Sequence, residues 1–345
     1  MRPIAIAALV NGEFGDPALY LDFRFEKRAL LFDLGDIAAL PPRKLLRLTD
    51  VFVTHAHMDH FAGFDAMLRV LLGRKSRLDL WGGPGFVDQV EHKLHAYTWN
   101  VVHRYRPSLV IEACELAVDG RRAAARFDSA RSFAHEDLAP PAGAGDLLHD
   151  EAGFRVRACF VDHEMPVLAF ALEEKERVRV APDRLRALGL STGAWLRDLK
   201  RAVLEGAAPD TPIALRWRDR AGEHAAVRTV GELSPVVFDV VPGRRIGYVT
   251  DLRATPANVE RLERLLPQPD LLYIESVFLH ADLDHAQRKN HLTARQAGEI
   301  ARRLRARALV PFHFSPRYQE RAAELQAEAR AAWLGTPGPA GAWPG

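Results

Sequence analysis

Cysteine is nearly absent: Cys114 and Cys159 are the only two in 345 residues. Two thiols cannot staple a chain of this length. A disulfide-built secreted scaffold is therefore excluded, and the fold must rest on its apolar core. An excess of charge of one sign is missing as well. Forty-seven Lys and Arg oppose 45 Asp and Glu, for a formal net charge of +2. Such balance gives no overall footprint for nucleic acid, so any basic patch must be local. No stretch approaches the roughly 20 apolar residues that a membrane-spanning helix requires. The start, Met1 to Val10, is apolar but runs into Asn11-Gly12-Glu13 without a cleavage pattern. It reads as a first strand rather than a signal peptide. Reduced cysteines and no leader point to a cytoplasmic protein.

What is present is an apolar fraction of 48%, enough for one large layered domain or two modest ones. Short apolar runs alternate with turn signals through the first third. Residues 18–23 and 29–33 read as strands, and Pro41-Pro42 opens a helix that leads to strand 51–53. A helix over 64–72, a strand over 78–81 and a helix over 84–97 follow. Residues 136–153, with Pro140-Pro141-Ala142-Gly143, read as a loop excursion. Strands are expected at 154–161 and 168–172. From about 174 to 235 the chain becomes charged and loses strand alternation, so this part is expected to be an inserted arm, with a helix around 195–201. Strand 245–250, helix 256–266, strand 270–275, helix 293–307 and strand 308–312 complete the main domain, residues 1–334. The Pro- and Gly-rich tail, 335–345, is expected to be disordered. Strands alternating with helices argue for an α/β layered fold.

The chemistry concentrates in residues 54–60, Thr-His-Ala-His-Met-Asp-His. His55, His57, Asp59 and His60 crowd four metal-ligand side chains behind the apolar run Val51-Phe52-Val53. That is too many donors for one ordinary structural zinc. Imidazole suits zinc, and a carboxylate suits a second, harder position on the same or a neighbouring ion. Three further donors stand at the ends of expected strands: His163, Asp251 and His313. Each alone reads more readily as a capping or surface residue than as a ligand, but their succession after the first cluster points to a dinuclear centre.

These motifs resemble the metallo-β-lactamase superfamily, and specifically its ribonuclease Z branch, over most of residues 18–320. The branch-level likeness comes from His291-Leu292-Thr293, similar to that family's His-x-Thr motif, and from His313-Phe314-Ser315-Pro316-Arg317-Tyr318, similar to its carboxy-terminal signature. The resemblance implies a four-layer αββα sandwich. It implies that His55, His57 and His163 hold one zinc, that Asp59, His60 and His313 hold a second, and that Asp251 bridges them. Mn2+ and Fe2+ remain open, since these ligands accept all three. Asp33 would orient an imidazole from behind.

The same resemblance implies phosphodiester hydrolysis by a water activated between the two ions. Asp59 would orient that water or take its proton, and His291 would protonate the departing oxygen. Ser315 and Arg317 are candidates for contacting phosphate, Arg317 by its planar fork. The substrate stays open between a precursor transfer RNA and a smaller phosphodiester or other ester. A catalytically silent binding protein and a homodimer are also open. Met58 stands where the branch has glycine, and Leu188-Gly189-Leu190-Ser191-Thr192-Gly193 only echoes the arm segment that holds transfer RNA. The arm's basic residues, among them Arg184, Arg186, Arg197, Lys200 and Arg201, read either as a phosphate-binding face or as a solvated helix face.

Overall fold

Residues 5–23, 26–141, 145–219 and 222–335 are described by the computed structural model. Among them two sheets lie face to face. The first has eight strands in chain order: β1 (Ala5–Leu9), β2 (Leu19–Phe23), β3 (Ala29–Phe32), β4 (Leu48–Phe52), β5 (Arg77–Gly82), β6 (Val110–Leu116), β7 (Arg122–Asp128) and β8 (Ala134–Leu138). β3 to β6 run parallel, and the flanking strands are antiparallel. The second sheet contains β9 (Leu147–Asp150), β10 (Phe154–Asp162) and β11 (Pro166–Glu174). Four strands of the arm follow: β12 (Arg177–Val180), β13 (Pro212–Asp219), β14 (Gly222–Thr229) and β15 (Phe238–Val241). The chain then returns to the second sheet with β16 (Arg245–Val249), β17 (Leu271–Glu275) and β18 (Leu309–Phe312), in the order β18-β17-β16-β11-β10-β9.

Successive side chains of a strand point to opposite faces, so a strand packed on both sides must be apolar throughout. In β3, Ala29 and Leu31 join one core cluster and Leu30 and Phe32 another. β11 behaves likewise, with Leu168, Phe170 and Leu172 between the sheets and Val167, Ala169 and Ala171 on the outer side. Helices supply the outer layers. The first sheet is covered by α3 (Phe64–Leu71) and α4 (Phe86–His95), which follow the short α1 (Pro42–Leu45) and α2 (Met58–Phe61). The helices α5 (Pro182–Ala187), α6 (Trp195–Leu204) and α7 (Val230–Val237) belong to the arm. The second sheet is covered by α8 (Pro256–Leu265) and α10 (Ala294–Arg303), with α9 (Leu283–Arg288) between them and α11 (Ala322–Leu334) after them. The expected four-layer α/β sandwich is the fold observed.

Several starts are written locally. Thr293 caps α10 by accepting from Gln296 N, while the Gln296 side chain accepts from Thr293 N. Thr255 caps α8, with Pro256 at its first position.

Two segments differ from expectation. The excursion at 136–153 contains the end of β8 and all of β9; residues 142–144 lie outside the described residues. The arm is a compact unit, Glu174–Gly243, with two ladders rather than none: β12 pairs with β15, and β13 with β14 over eight positions. Ile213 and Leu215 alternate there with outward Ala214 and Arg216, and with Val178, Trp195, Leu199 and Leu233 they form the arm's own small core. Beyond Gly335 the tail lies outside the described residues. No helix among the described residues is long and apolar enough to cross a membrane. Cys114 is buried and Cys159 half-buried, both as free thiols. Burial pushes each thiol up to about 12, so both stay protonated.

α2 is pinned beneath the loop after β3 by two backbone bonds, Leu34 N to His60 O at 2.8 Å and Gly63 N to Leu34 O at 2.9 Å. A Cβ at Gly63 would lie 2.2 Å from the Gly35 carbonyl oxygen, and neither backbone can give way. Gly63→Ala should therefore destabilise the protein by about 1–3 kcal/mol, the usual cost of overpacking, read as a lowered denaturant midpoint.

Candidate metal centre

The donors gather where strands of both sheets end. Asp33 follows β3, His55 follows β4, His163 follows β10, Asp251 follows β16, and His313 follows β18. Parallel strands place their carboxyl ends along one edge, which is where open α/β sheets bring ligands. At three of these ends the backbone turns left-handed at once: Asp33 at φ 57°, Asp251 at 33° and His313 at 59°. L-residues rarely adopt this conformation, and three non-glycine cases around one site mark a functional constraint. β4 instead leads into α2, whose N-cap is His57 and whose single turn carries Asp59 and His60.

Asp251 is the centre of the arrangement. Its Oδ2 lies 3.5 Å from His55 Nε2, 3.5 Å from His60 Nε2 and 3.7 Å from His163 Nε2. Its Oδ1 lies 3.1 Å from His313 Nδ1. Asp59 Oδ2 is 3.6 Å from His60 Nε2 and 3.4 Å from His313 Nε2. Two separate sets of donors emerge, His55 with His57 and Asp251, and Asp59 with His60 and His313, and a third, Asp251 with Glu275, His291 and His313, shares a residue with each. The structure thus brings all seven expected ligands into one cluster.

Four of these atoms are buried without a hydrogen-bond partner: His55 Nε2, His60 Nε2, Asp251 Oδ1 and His313 Nδ1. Burying such atoms unpaired is costly, and here several of them converge. Ligands about 2.0–2.2 Å from a tetrahedral ion sit roughly 3.3–3.6 Å from one another. The observed spacings match that pattern better than they match direct hydrogen bonds. The residues present therefore fit a metal centre.

The outward-facing atoms are tied down. Asp33, fully buried, accepts from Thr54 N at 2.7 Å, from Thr54 Oγ1 at 2.9 Å and from Tyr248 Oη at 3.0 Å, and its Oδ2 meets His60 Nδ1 at 2.8 Å. His163 Nδ1 donates to the Asn290 carbonyl at 2.8 Å. Both contacts turn Nε2 towards the cluster. Sequence reasoning did not find Thr54, Tyr248 or Asn290 in these roles. A backbone carbonyl carries no side-chain signal at all.

Charge follows from the same geometry. Burial, with the neighbouring His60 second, drives the His55 imidazole down to about 2, leaving it neutral as a ligand must be. Burial raises Asp59, but the bond from His313 and the charges of His60 and His313 outweigh it and bring the carboxyl to about 2. Asp251 is likewise held well below the carboxylate range, because its imidazoles overcome its burial.

His291 stands beside the cluster, its ring 4.8 Å from that of His163 and 5.7 Å from that of His313. Its Nδ1 lies 2.7 Å from Glu275 Oε2, while Glu275 Oε1 accepts from Leu252 N at 2.8 Å. Burial favours the neutral ring, yet Glu275 raises the proton affinity of His291 above its ordinary value. From sequence Glu275 was an ambiguous strand-end carboxylate. Ser315 and Arg317 do not join the cluster. Ser315 starts the turn Pro316–Tyr318, with its amide bonded to the Val277 carbonyl, and Arg317 lies over the Phe278 ring at 5.8 Å.

Paired sheets with histidine and aspartate donors at strand ends define a hydrolase of the metallo-β-lactamase superfamily. Residues 211–314 match a β-lactamase superfamily domain model. The chain is 32% identical to ribonuclease Z of Deinococcus radiodurans over 321 residues, covering 91% of each chain. It is 27% identical to human zinc phosphodiesterase ELAC protein 1 over 316 residues, covering 86% of this chain and 81% of that one. Among solved structures, the short form of human tRNase Z superposes with a TM-score of 0.51 at 19% identity, over 91% and 92% of the two chains. The chain belongs to the ribonuclease Z family.

Asp33→Ala would leave four donors, Thr54 N, Thr54 Oγ1, Tyr248 Oη and His60 Nδ1, without their acceptor at a buried junction. Each such loss costs about 1–3 kcal/mol, so a marked fall in denaturant midpoint is expected. Asp33→Asn, which keeps the shape and one acceptor, should recover part of it.

Proposed function

We propose that this chain hydrolyses phosphodiester bonds in RNA and matures the 3′ end of precursor transfer RNA, using two zinc ions. The observation that carries the reading is the set of buried, unpartnered donor atoms on His55, His60, Asp251 and His313, beside His291 paired to Glu275. The substrate class follows from the ribonuclease Z relatives, 32% identical at the level of the Deinococcus protein.

In this reading His55, His57 and His163 would hold one ion and Asp59, His60 and His313 the other, with Asp251 available to both. When bound, the pair supplies Lewis acidity: it makes water acidic enough to react near neutral pH and offsets charge on the phosphoryl oxygens. The chain's own groups do the rest. Asp59, ionised and only partly buried, accepts a proton from the attacking water or fixes its lone pairs. His291, whose proton affinity Glu275 raises, gives its proton to the departing oxygen. Glu275 cannot drift, because the Leu252 amide holds its other oxygen. Ser315 and Arg317 would contact the phosphate backbone.

A second reading, a smaller phosphodiester or other ester, is favoured by one feature. Met58, between His57 and Asp59, is 83% exposed and puts a bulky apolar side chain at a position where the branch has glycine. Bis-p-nitrophenyl phosphate and a precursor transfer RNA should be assayed side by side. Cleavage of both supports the first reading, and cleavage of the small ester alone the second.

Two expectations follow from the proton positions. Burial opposes charge on His60 and His313, but Asp251 raises both, His313 to about 10. Metal entry must displace these protons. Calorimetry in buffers of different ionisation enthalpy should therefore show proton release, affinity should rise with pH, and elemental analysis should find about two zinc per chain. His291→Ala should lower turnover by about 10²–10⁴-fold with that metal content intact; unchanged turnover removes His291 from the reaction.

A further inference from the structure

Beyond His291 the edge of the site continues as a ring of cations around one aromatic side chain. Phe278 is buried, with its ring contacting four neighbours. His291 lies 6.3 Å away between ring centres, His285 lies 5.0 Å away edge-on, and Tyr318 lies 6.5 Å away. The Arg317 guanidinium sits 5.8 Å above the same ring. Arg288, at the end of α9, approaches His285 Nδ1 at 3.4 Å, and Lys289 follows it.

These cations are poorly compensated. Among the described residues no ion pair engages Arg288 or Lys289. Arg317 has only Asp282 at 3.9 Å, and that carboxylate already accepts from the Tyr318 hydroxyl. Some arginines elsewhere are closely paired, such as Arg77 to Asp79 and Glu112, Arg245 to Glu173, and Arg303 to Glu263. Burial and then the positive charges of Arg317, Arg288 and Lys289 hold the His285 imidazole below its usual range, with Asp282 opposing them. An anion arriving there would relieve their mutual repulsion. Arg288 and Arg317 offer planar forks suited to phosphate oxygens, and His285, beside Arg288, offers a ring nitrogen.

We propose that His285, Arg288, Lys289 and Arg317, grouped around Phe278, form a second phosphate subsite that binds the phosphate next to the scissile one. The proposal rests on the phosphodiesterase reading, because it places the cleaved phosphate at the metal cluster. Its side is set by His291, which lies between the cluster and the subsite. If His291 protonates the departing oxygen, the subsite receives the phosphate carried by the leaving nucleoside. A substrate with phosphates on consecutive nucleosides then spans both places, and an ester with a single phosphate uses only the first.

Direct binding tests this without turnover. The zinc-loaded protein is titrated calorimetrically with uridine 3′-monophosphate, uridine 5′-monophosphate and uridine 3′,5′-bisphosphate. The bisphosphate should bind about tenfold or more tightly than either monophosphate, as expected for one added charge-assisted phosphate contact. In Arg288→Ala, an exposed position, and in His285→Ala/Arg288→Ala the ratio should fall towards one. Equal affinities in the unaltered protein, or an undiminished ratio in both variants, overturns the subsite. Failure of the phosphodiesterase reading is seen separately, as absent hydrolysis of bis-p-nitrophenyl phosphate by the same preparation.

Discussion

One carboxylate ties the halves of this molecule together. Asp33 stands at the end of a strand in the first sheet and accepts the hydroxyl of Tyr248, which comes from the second. The same group fixes Thr54 and steers His60. A buried carboxyl group is tolerated only when its oxygens are hydrogen-bonded, and Asp33 meets that condition by drawing on both layers. The packing of the sheets and the aim of the imidazole are therefore one arrangement. Phe32 and Tyr248, their rings 5.7 Å apart, supply the apolar contact beside it. A shift of one sheet against the other would break the polar junction and misdirect the donor together.

Much of this was legible in the sequence where the information is contiguous. His55 to His60 are adjacent in the chain, and a strand before them fixes their exit. His163, Asp251 and His313 were legible because each follows a strongly apolar run. The α/β class was legible from short apolar strands, such as β3, alternating with helices, and the four layers were implied only by the family resemblance. The arm's strands were less so. β14 is Gly-Glu-His-Ala-Ala-Val-Arg-Thr, where small residues blur the alternation, and its burial pattern becomes clear only once paired with β13. β9 was lost in a segment dominated by proline and glycine.

The parts that stayed hidden share a physical cause. Asn290 acts on His163 through its backbone, so no side chain announces it. Glu275 is one carboxylate at a strand end among several, and only its distance to His291 sets it apart. The left-handed turns at Asp33, Asp251 and His313 depend on what surrounds them rather than on residue type. Sequence names the donors; the tertiary frame decides which lone pair each one presents.

Those abrupt turns also fix the dimensions of the scaffold. Because the chain leaves the sheet within one residue of each donor, lengthening a strand by a single position would swing that donor to the opposite face. The working edge therefore has no freedom in register, whereas the segments that run between strands at the far rim are under no such restraint. The arm enters the chain between the end of β11 and the start of β16, after Glu173 and before Arg244, where neither strand end carries a donor.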